Sequence, residues 1–232
     1  MILPLAILVI AAGAALQAST GMGMALFAVP LLALLDPAYV PGPMLCSLMV
    51  LSAAVAWRER DAVDGRILVV SLLGFAVGSA LGAVALRLLA GIDLSWLFAL
   101  LILAALALSI AGLQIEAGRV ALVVGGTASG VLGTLAGVQG PPIALVLQHQ
   151  RPDRLRATLC AFFAAGSAVS LTALIAAGVF GTRQAGLGLA LLPGVPLGLV
   201  VAPFIARRID RQRARLCVLV ISALSALALL LR

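Results

Sequence analysis

The sequence carries little charge and contains no lysine. Only 10% of its 232 residues are charged, and all 15 basic residues are arginine. A typical soluble domain has about 25% charged residues, so the composition argues against a soluble globular protein. The residues are 64% hydrophobic, with a mean hydropathy of +1.26. Apolar runs with almost no charge are typical of membrane-spanning helices, and they lack the alternating polarity of a β-barrel. We therefore predict an all-α integral membrane protein.

Histidine and cysteine are also scarce. The chain has one histidine and three cysteines, Cys46, Cys160 and Cys217, without C-x-x-C spacing. This argues against a disulfide framework, a zinc site and a His-based hydrolytic triad. A membrane-embedded enzyme would need a nucleophile with a base, or metal ligands. We therefore predict a protein that is not an enzyme and that has no cofactor or metal.

The arginines occupy the short polar gaps between the apolar runs, where they set membrane topology. This explains the net charge of +7 without nucleic-acid binding, which we do not expect. The apolar runs lie at about 2–35, 43–57, 67–90, 94–115, 119–148, 156–180, 184–206 and 215–231.

Two of these runs, 2–35 and 119–148, are too long for a single span of about 20 residues. Each contains a glycine-rich interruption, STGMG at 19–23 and GTLAGVQGPP at 133–142. We predict that each run forms two short helical pieces of about 11–17 residues, as in a broken or re-entrant helix.

The two halves of the chain look like a repeat. TGMGMALFAVPLLALL (20–35) aligns with AGVQGPPIALVLQHQ (136–150), and GSALGAVALRLLAGID (78–93) aligns with GVPLGLVVAPFIARRID (194–210). We predict two transmembrane repeats, 1–115 and 116–232, with about 8–10 membrane elements in total. Five elements in each half would invert the second half relative to the first.

The arginine distribution favours this inverted arrangement. It puts three arginine-rich gaps on one side, 58–66, 151–156 and 207–215, which hold three, three and five arginines. The gaps 36–42, 87–93 and 181–186 share the other side, and they hold none, one and one. By the positive-inside rule, the arginine-rich side faces the cytoplasm and both termini lie outside.

Paired helix breaks in two inverted halves are the best sequence pointer to a transporter binding site. Irregular backbone within a membrane persists only where protein or a cavity surrounds it. Helix N-termini at the breaks would favour an anion. Neutral hydrogen-bonding side chains lie near the breaks: Gln17, Ser19, Thr20, Ser129, Thr134, Gln139 and Gln148.

Glycines in membrane helices also serve simply as packing contacts. We interpret Gly78, Gly82, Gly194 and Gly198 as packing glycines. The glycines that accompany prolines and polar residues are the better candidates for a site, and they are Gly21, Gly23, Gly137 and Gly140.

Three segments carry a resemblance to a known family. GMGMALFAVPLL (21–32), AGVQGPPIALVL (136–147) and RPDRLRATLCAFF (151–163) resemble segments of the TauE/SafE sulfite exporters, in order and across nearly the whole chain. The chain departs from the family pattern at Met22, Met24 and Gln139, where members are often glycine-rich. By position, the resemblance implies that Gly21, Gly23, Pro30, Gly137, Gly140, Pro141 and Pro142 line the substrate site. The side chains at the breaks add four further candidate substrate-binding residues, Ser19, Thr20, Met22 and Gln139.

The resemblance implies a multi-pass protein of the bacterial inner membrane that exports a small sulfur-containing anion. Sulfite or a short organosulfonate would bind at mid-membrane, and one half would rock against the other. The expected partners are this anion and the lipid bilayer, with homo-oligomerisation left open. The alternatives are uptake of a sulfur compound or another small organic anion, and a non-transporting membrane scaffold.

Overall fold

The computed structural model describes residues 2–89, 95–111, 115–208 and 211–230, without the side chains of residues 20, 95, 205–208, 211–215 and 217. These residues form helices and turns and contain no β-strand, as predicted for an all-α protein. The first half contains α1 (Ile2–Thr20), α2 (Met24–Leu35), α3 (Gly42–Arg58), α4 (Gly65–Leu88) and α5 (Ser95–Ile110). The second half contains α6 (Arg119–Ala136), α7 (Gly140–Leu147), α8 (Pro152–Ala176), α9 (Thr182–Leu191), α10 (Gly194–Arg208) and α11 (Arg211–Leu230).

Five segments of the described chain are long and apolar enough to cross a membrane. They are Ile2–Ser19, Gly65–Leu88, Arg119–Ala136, Pro152–Ala176 and Thr182–Phe204. The last of these contains α9 and most of α10. The protein is therefore a multi-pass membrane protein.

The interruptions predicted in the two longest runs are present, at residues 21–23 and 137–139. The predicted lengths were wrong for three of the four arms, since α1 has 19 residues, α6 has 18 and α7 has 8, and only α2 lies in the predicted range. Helix α6 runs longer because Gly133 stays helical and accepts the N–H of Gly137 at 2.9 Å. The second arms are short, with 12 residues in α2 and 8 in α7. A residue adds about 1.5 Å to a helix, so neither second arm spans a bilayer.

Each interruption folds the chain back on itself. In the first hairpin, a Cβ atom at Gly13 would lie 3.1 Å from the Met24 side chain and 3.5 Å from that of Ala28. In the second, a Cβ atom at Gly125 would lie 2.9 Å from the Val146 side chain. Residues before and after each break therefore lie side by side.

Glycines join α4 to α6, which belong to different halves. Cβ atoms at Gly74 and Gly78 would overlap the carbonyl oxygens of Val123 and Thr127. Both positions rise together along the two helices, so α4 and α6 run parallel at very close range. The contact confirms packing for Gly78, and the opposite side of α4 exposes large apolar residues as a lipid-facing helix does, namely Leu73, Val77 and Leu81.

A matching contact joins α1 to α10. Gly194 packs against Ile7, and Gly198 packs so closely against Ala11 that a Cβ atom would overlap its carbonyl oxygen. These helices also run parallel, and the contact confirms packing for Gly194 and Gly198. The first helix of each half is thus bound to a helix of the other half. The halves interlock, and they are not two separate bodies.

Helices α3 and α8 run antiparallel. Glu59, at the end of α3, pairs with Arg156, near the start of α8. At the opposite end, Gly42 at the start of α3 packs against Phe180, just beyond α8. This pair of equivalent helices therefore points in opposite directions, as an inverted repeat requires. The division into 1–115 and 116–232 stays a prediction.

The structure also groups the polar gaps as the arginine count predicted. The gaps 58–66 and 151–156 meet through Arg156–Glu59 and through Arg154–Asp64, the latter at 3.5 Å. Asp64 also accepts the N–H groups of Arg66 and Ile67 and so caps the start of α4. The arginine side chains of the third gap, 207–215, lie outside the described residues.

Candidate substrate site

The two chain breaks meet at one cavity of about 350 Å³. Met22 and Gly23 of the first break and Val138 and Gln139 of the second lie in its wall. The first turns of the two short helices follow directly, with Ala25 and Leu26 from α2 and Gly140 and Pro141 from α7. The remaining lining residues come from five other helices and the end of α7: Leu16, Gln17, Leu48, Leu108, Ser109, Ala144, Leu145, Gln148, Leu155, Phe163, Val218 and Leu219.

The cavity wall is neutral. No Asp, Glu, Arg or His side chain is among the lining residues of the described chain, and most of the wall is aliphatic. The polar side chains are those of Gln17, Ser109, Gln139 and Gln148. Gln17 and Gln139 are each 1% exposed, whereas Gln148 is exposed. The cavity therefore extends from a buried amide-lined end to an open end beside the arginine-rich gap 151–156.

The two buried glutamines are held by equivalent helices. The Nε2 group of Gln17 donates to the hydroxyl of Ser52 on α3 at 2.8 Å. The Nε2 group of Gln139 donates to the hydroxyl of Ser167 on α8 at 2.8 Å and to the carbonyl of Phe163 at 3.2 Å. A glutamine amide has two hydrogens. Gln139 has used both, while Gln17 keeps one that is not used by any described hydrogen bond.

Gln139 fits its position because two glycines make room for it. A Cβ atom at Gly166 would lie 2.9 Å from Oε1 of Gln139, and one at Gly133 would lie 2.8 Å from its Cβ. Oε1 is buried and has no hydrogen-bond partner among the described residues. The amide cannot be reversed, because Oε1 would then face the carbonyl oxygen of Phe163. Gln139 therefore braces the second break against α8 and has no amide hydrogen available for a ligand.

The glycines of the first break have separate roles. Gly21 has φ +87°, donates its N–H to the carbonyl of Gln17 at 2.7 Å, and lies against Arg156. Gly23 has φ +119°, and a Cβ atom there would meet nothing within 4 Å. Both need the left-handed region that favours glycine. Gly21 thus packs the break onto α8, and Gly23 opens it to the cavity.

The second break turns at Gly137, which has φ +79° and ends α6. Its neighbours are Val29, Pro41 and Met44, so it faces away from the cavity towards α2 and α3. Left-handed glycine caps of this kind are common at helix C-termini. The turn directs Val138 and Gln139 into the cavity wall.

The start of α7 offers fewer backbone donors than the break alone suggests. Pro141 and Pro142 have no N–H, which suits the first turn of a helix. The N–H of Ile143 donates to the Ser129 hydroxyl at 3.2 Å. Of the first four residues of α7, only Gly140 therefore has an N–H that a ligand could use.

Five of the predicted site residues line the cavity, namely Met22, Gly23, Gln139, Gly140 and Pro141. Four others are buried and do not line it, namely Gly21, Pro30, Gly137 and Pro142. The hydroxyl of Ser19 donates to the carbonyls of Ala15 and Leu16 of its own helix, both at 2.9 Å. The side chain of Thr20 lies outside the described residues.

Sequence patterns did not identify the contributions of α3, α5, α8 and α11. Leu48, Leu108, Phe163 and Val218 are ordinary apolar residues of apolar helices, and only tertiary packing brings them to the cavity. Gln17 and Gln148 were recognised as polar residues near the breaks. The available signal for Gln17 was its position four residues before Gly21, and for Gln148 its position at the end of the apolar segment that follows the second break.

Comparison with protein families gives a match over nearly the whole chain. The sequence model of the family described as sulfite exporter TauE/SafE matches residues 5–229. The chain belongs to the TauE/SafE family. Comparisons with curated proteins and with solved structures gave no match. Family membership makes this chain a membrane transporter, and its cavity between two helix breaks is consistent with that class.

Proposed function

We propose that this TauE/SafE protein exports a small sulfur-containing anion, such as sulfite or a short organosulfonate, across a bacterial inner membrane. The substrate occupies the cavity between the two breaks and crosses by alternating access. The observation that carries the proposal is the meeting of both breaks at one neutral, partly polar cavity. Gln17, the N–H of Gly140 and the first turn of α2 supply the polar contacts.

A neutral wall suits a small anion better than a cation or a large apolar solute. Burying an anion without donors is costly, and burying a charged side chain in a membrane adds a further cost. Amide and backbone N–H groups avoid the second cost while they still donate hydrogen bonds. The positive ends of the α2 and α7 dipoles lie at the cavity and add a favourable potential.

The open end of the cavity gives a cytoplasmic anion access to the site, as export requires. It lies beside the arginine-rich gap 151–156, which the positive-inside rule assigns to the cytoplasm. An inside-negative membrane potential favours anion exit by about 2.3 kcal/mol per charge per 100 mV. No carboxylate lines the described cavity to relay a proton. Export driven by potential alone is therefore the simplest mechanism.

The decisive experiment is thermal unfolding of the purified protein with sulfite, sulfate, thiosulfate, sulfoacetate, acetate and chloride. A ligand at one hundred times its Kd stabilises the folded state by about 2.7 kcal/mol. Gly140→Leu should abolish the shift, because the new side chain enters the cavity. Gly186→Leu is the matched control, because a Cβ atom there would meet nothing within 4 Å. No shift with any sulfur anion would contradict the proposal.

Flux in proteoliposomes tests the direction. Sulfite flux should follow an imposed membrane potential and persist without a proton gradient. A flux that requires a proton gradient and ignores potential would instead favour uptake of a sulfur compound.

A further inference from the structure

A second cavity, of about 440 Å³, lies where the three arginine-poor gaps meet. Residues 37, 38 and 40–43 form one side, the end of α4 forms another, and residues 177–180 with Gln184 form a third. Phe98 of α5 and Leu174 of α8 complete the wall. These are the gaps that the arginine count assigns to the outer face, so this cavity lies at the opposite face from the open end of the first.

Helix α3 contributes residues to the walls of both cavities, and only a short segment lies between them. Its first residues, up to Pro43, line the second cavity, and Leu48 lines the first. Five residues of helix correspond to about 7.5 Å. Met44 and Leu45, between them, are fully buried. These buried side chains of α3 form the layer between the two sets of lining residues.

The Gly137 turn occupies the same layer. A Cβ atom there would lie 3.3 Å from Val29, 3.8 Å from Met44 and 3.9 Å from Cα of Pro41. Pro41 lines the second cavity, and Val138, the residue after the turn, lines the first. The turn is thus in contact with both cavities through its immediate neighbours.

Arg87 is the one basic residue that lines either cavity in the described chain. It lies in the last turn of α4 and is exposed. A cation in the last turn also suits the helix dipole, but that role does not require a position in a cavity wall. A positive charge at the mouth of a cleft raises the local concentration of anions.

We propose that the second cavity is the outer vestibule of the same anion pathway, and that the Gly137 turn with Val29 and Met44 is the closed gate between vestibule and substrate site. Arg87 holds the anion at the outer mouth. The identity of the anion rests on the proposed function, whereas the existence of the pathway does not. The described conformation is then open to the arginine-rich face and closed to the other.

Cysteine labelling tests the pathway without any knowledge of the substrate. In a chain with Cys46, Cys160 and Cys217 changed to alanine, a membrane-impermeant maleimide is applied to right-side-out and inside-out vesicles. Ala177→Cys should react only from the arginine-poor face and Ala144→Cys only from the arginine-rich face. Val29→Cys should react from neither face at rest. Labelling of Ala177→Cys and Ala144→Cys from the same face, or of neither, would overturn the proposal.

A pair of arginine variants tests the role of Arg87. Arg183 provides the matched control, because it is exposed near the same face but does not line the cavity. Arg87→Gln should lower sulfite flux several-fold and leave the thermal shift with sulfite unchanged, while Arg183→Gln should leave both unchanged. Equal flux in all three proteins, or equal loss in both variants, would overturn this role. Absence of a sulfite shift in the unmodified protein would overturn the proposed function, and the labelling result would still decide the pathway.

Discussion

The hydroxyl of Ser222 on α11 lies 2.5 Å from the carbonyl oxygen of Leu26 on α2. That carbonyl would normally accept the N–H of residue 30, but residue 30 is a proline and has none. Ser222 is fully buried and can also donate to the carbonyl of Val218, at 2.6 Å. Pro30 lies inside α2, where a hydroxyl from another helix satisfies the carbonyl that the proline leaves free.

This relationship predicts that the effect of Ser222→Ala depends on residue 30. In the unmodified protein the change should destabilise the fold by about 1 kcal/mol, because a buried carbonyl loses its donor. In a Pro30→Ala background the new backbone N–H at position 30 can pair with the carbonyl of Leu26, so the same change should have a smaller effect. Thermal unfolding of the four proteins measures the coupling. Equal losses in both backgrounds would contradict it.

The close contact between α4 and α6 predicts that a glycine-to-alanine substitution inside it destabilises the protein, whereas the same substitution at an open helix position does not. Gly78→Ala should destabilise the protein by about 1–3 kcal/mol, because its Cβ overlaps the carbonyl of Thr127. Gly186→Ala should be neutral or stabilising by up to about 1 kcal/mol, because alanine is the better helix former and the position is open. The shift in thermal midpoint in detergent measures both. A similar shift for the two variants would contradict the close contact.

The Arg156–Glu59 ion pair should stabilise the fold more than the exposed ion pairs do. Its two side chains are 34% and 19% exposed, against 83% and 61% for Arg151 and Asp153. Glu59→Gln should destabilise the fold by about 1 kcal/mol, above the value for an exposed pair and below that for a buried charged hydrogen bond. Asp153→Asn is the control and should change little. The difference should shrink in high salt, since the pair remains partly solvated.

The helical class, the two breaks and the grouping of the polar gaps were predictable because local features specify them. Long uncharged runs specify spans, and glycine with proline specifies interruptions. The continuation of α6 through Gly133 was not predictable, because the helix ends at Gly137, whose neighbours Val29 and Met44 come from other helices. The interlocking of the halves was also not predictable, because the position of a packing glycine in the sequence does not identify the helix that it contacts. The predicted rocking of one half against the other must therefore involve helices from both, with α1 bound to α10 and α4 bound to α6.

The two buried glutamines look alike in the sequence, but their tertiary contacts differ. Gln139 has donated both amide hydrogens, to Phe163 and Ser167, whereas Gln17 has donated one, to Ser52. If the cavity binds the anion, Gln17→Met should lose roughly tenfold or more in sulfite affinity, measured by titration of the thermal shift, because a hydrogen bond to a charged group contributes about 1.5–3 kcal/mol. Gln139→Met should instead lower the thermal midpoint and keep most of the affinity in the protein that folds.

Ser52→Ala and Ser167→Ala are the matched controls for this comparison, since each removes the partner and leaves the glutamine in place. Ser52→Ala should weaken sulfite binding less than Gln17→Met, because the free amide hydrogen remains. Ser167→Ala should affect stability more than affinity. A larger loss of affinity in Gln139→Met than in Gln17→Met would mean that the amide of Gln139 turns towards the ligand when it binds.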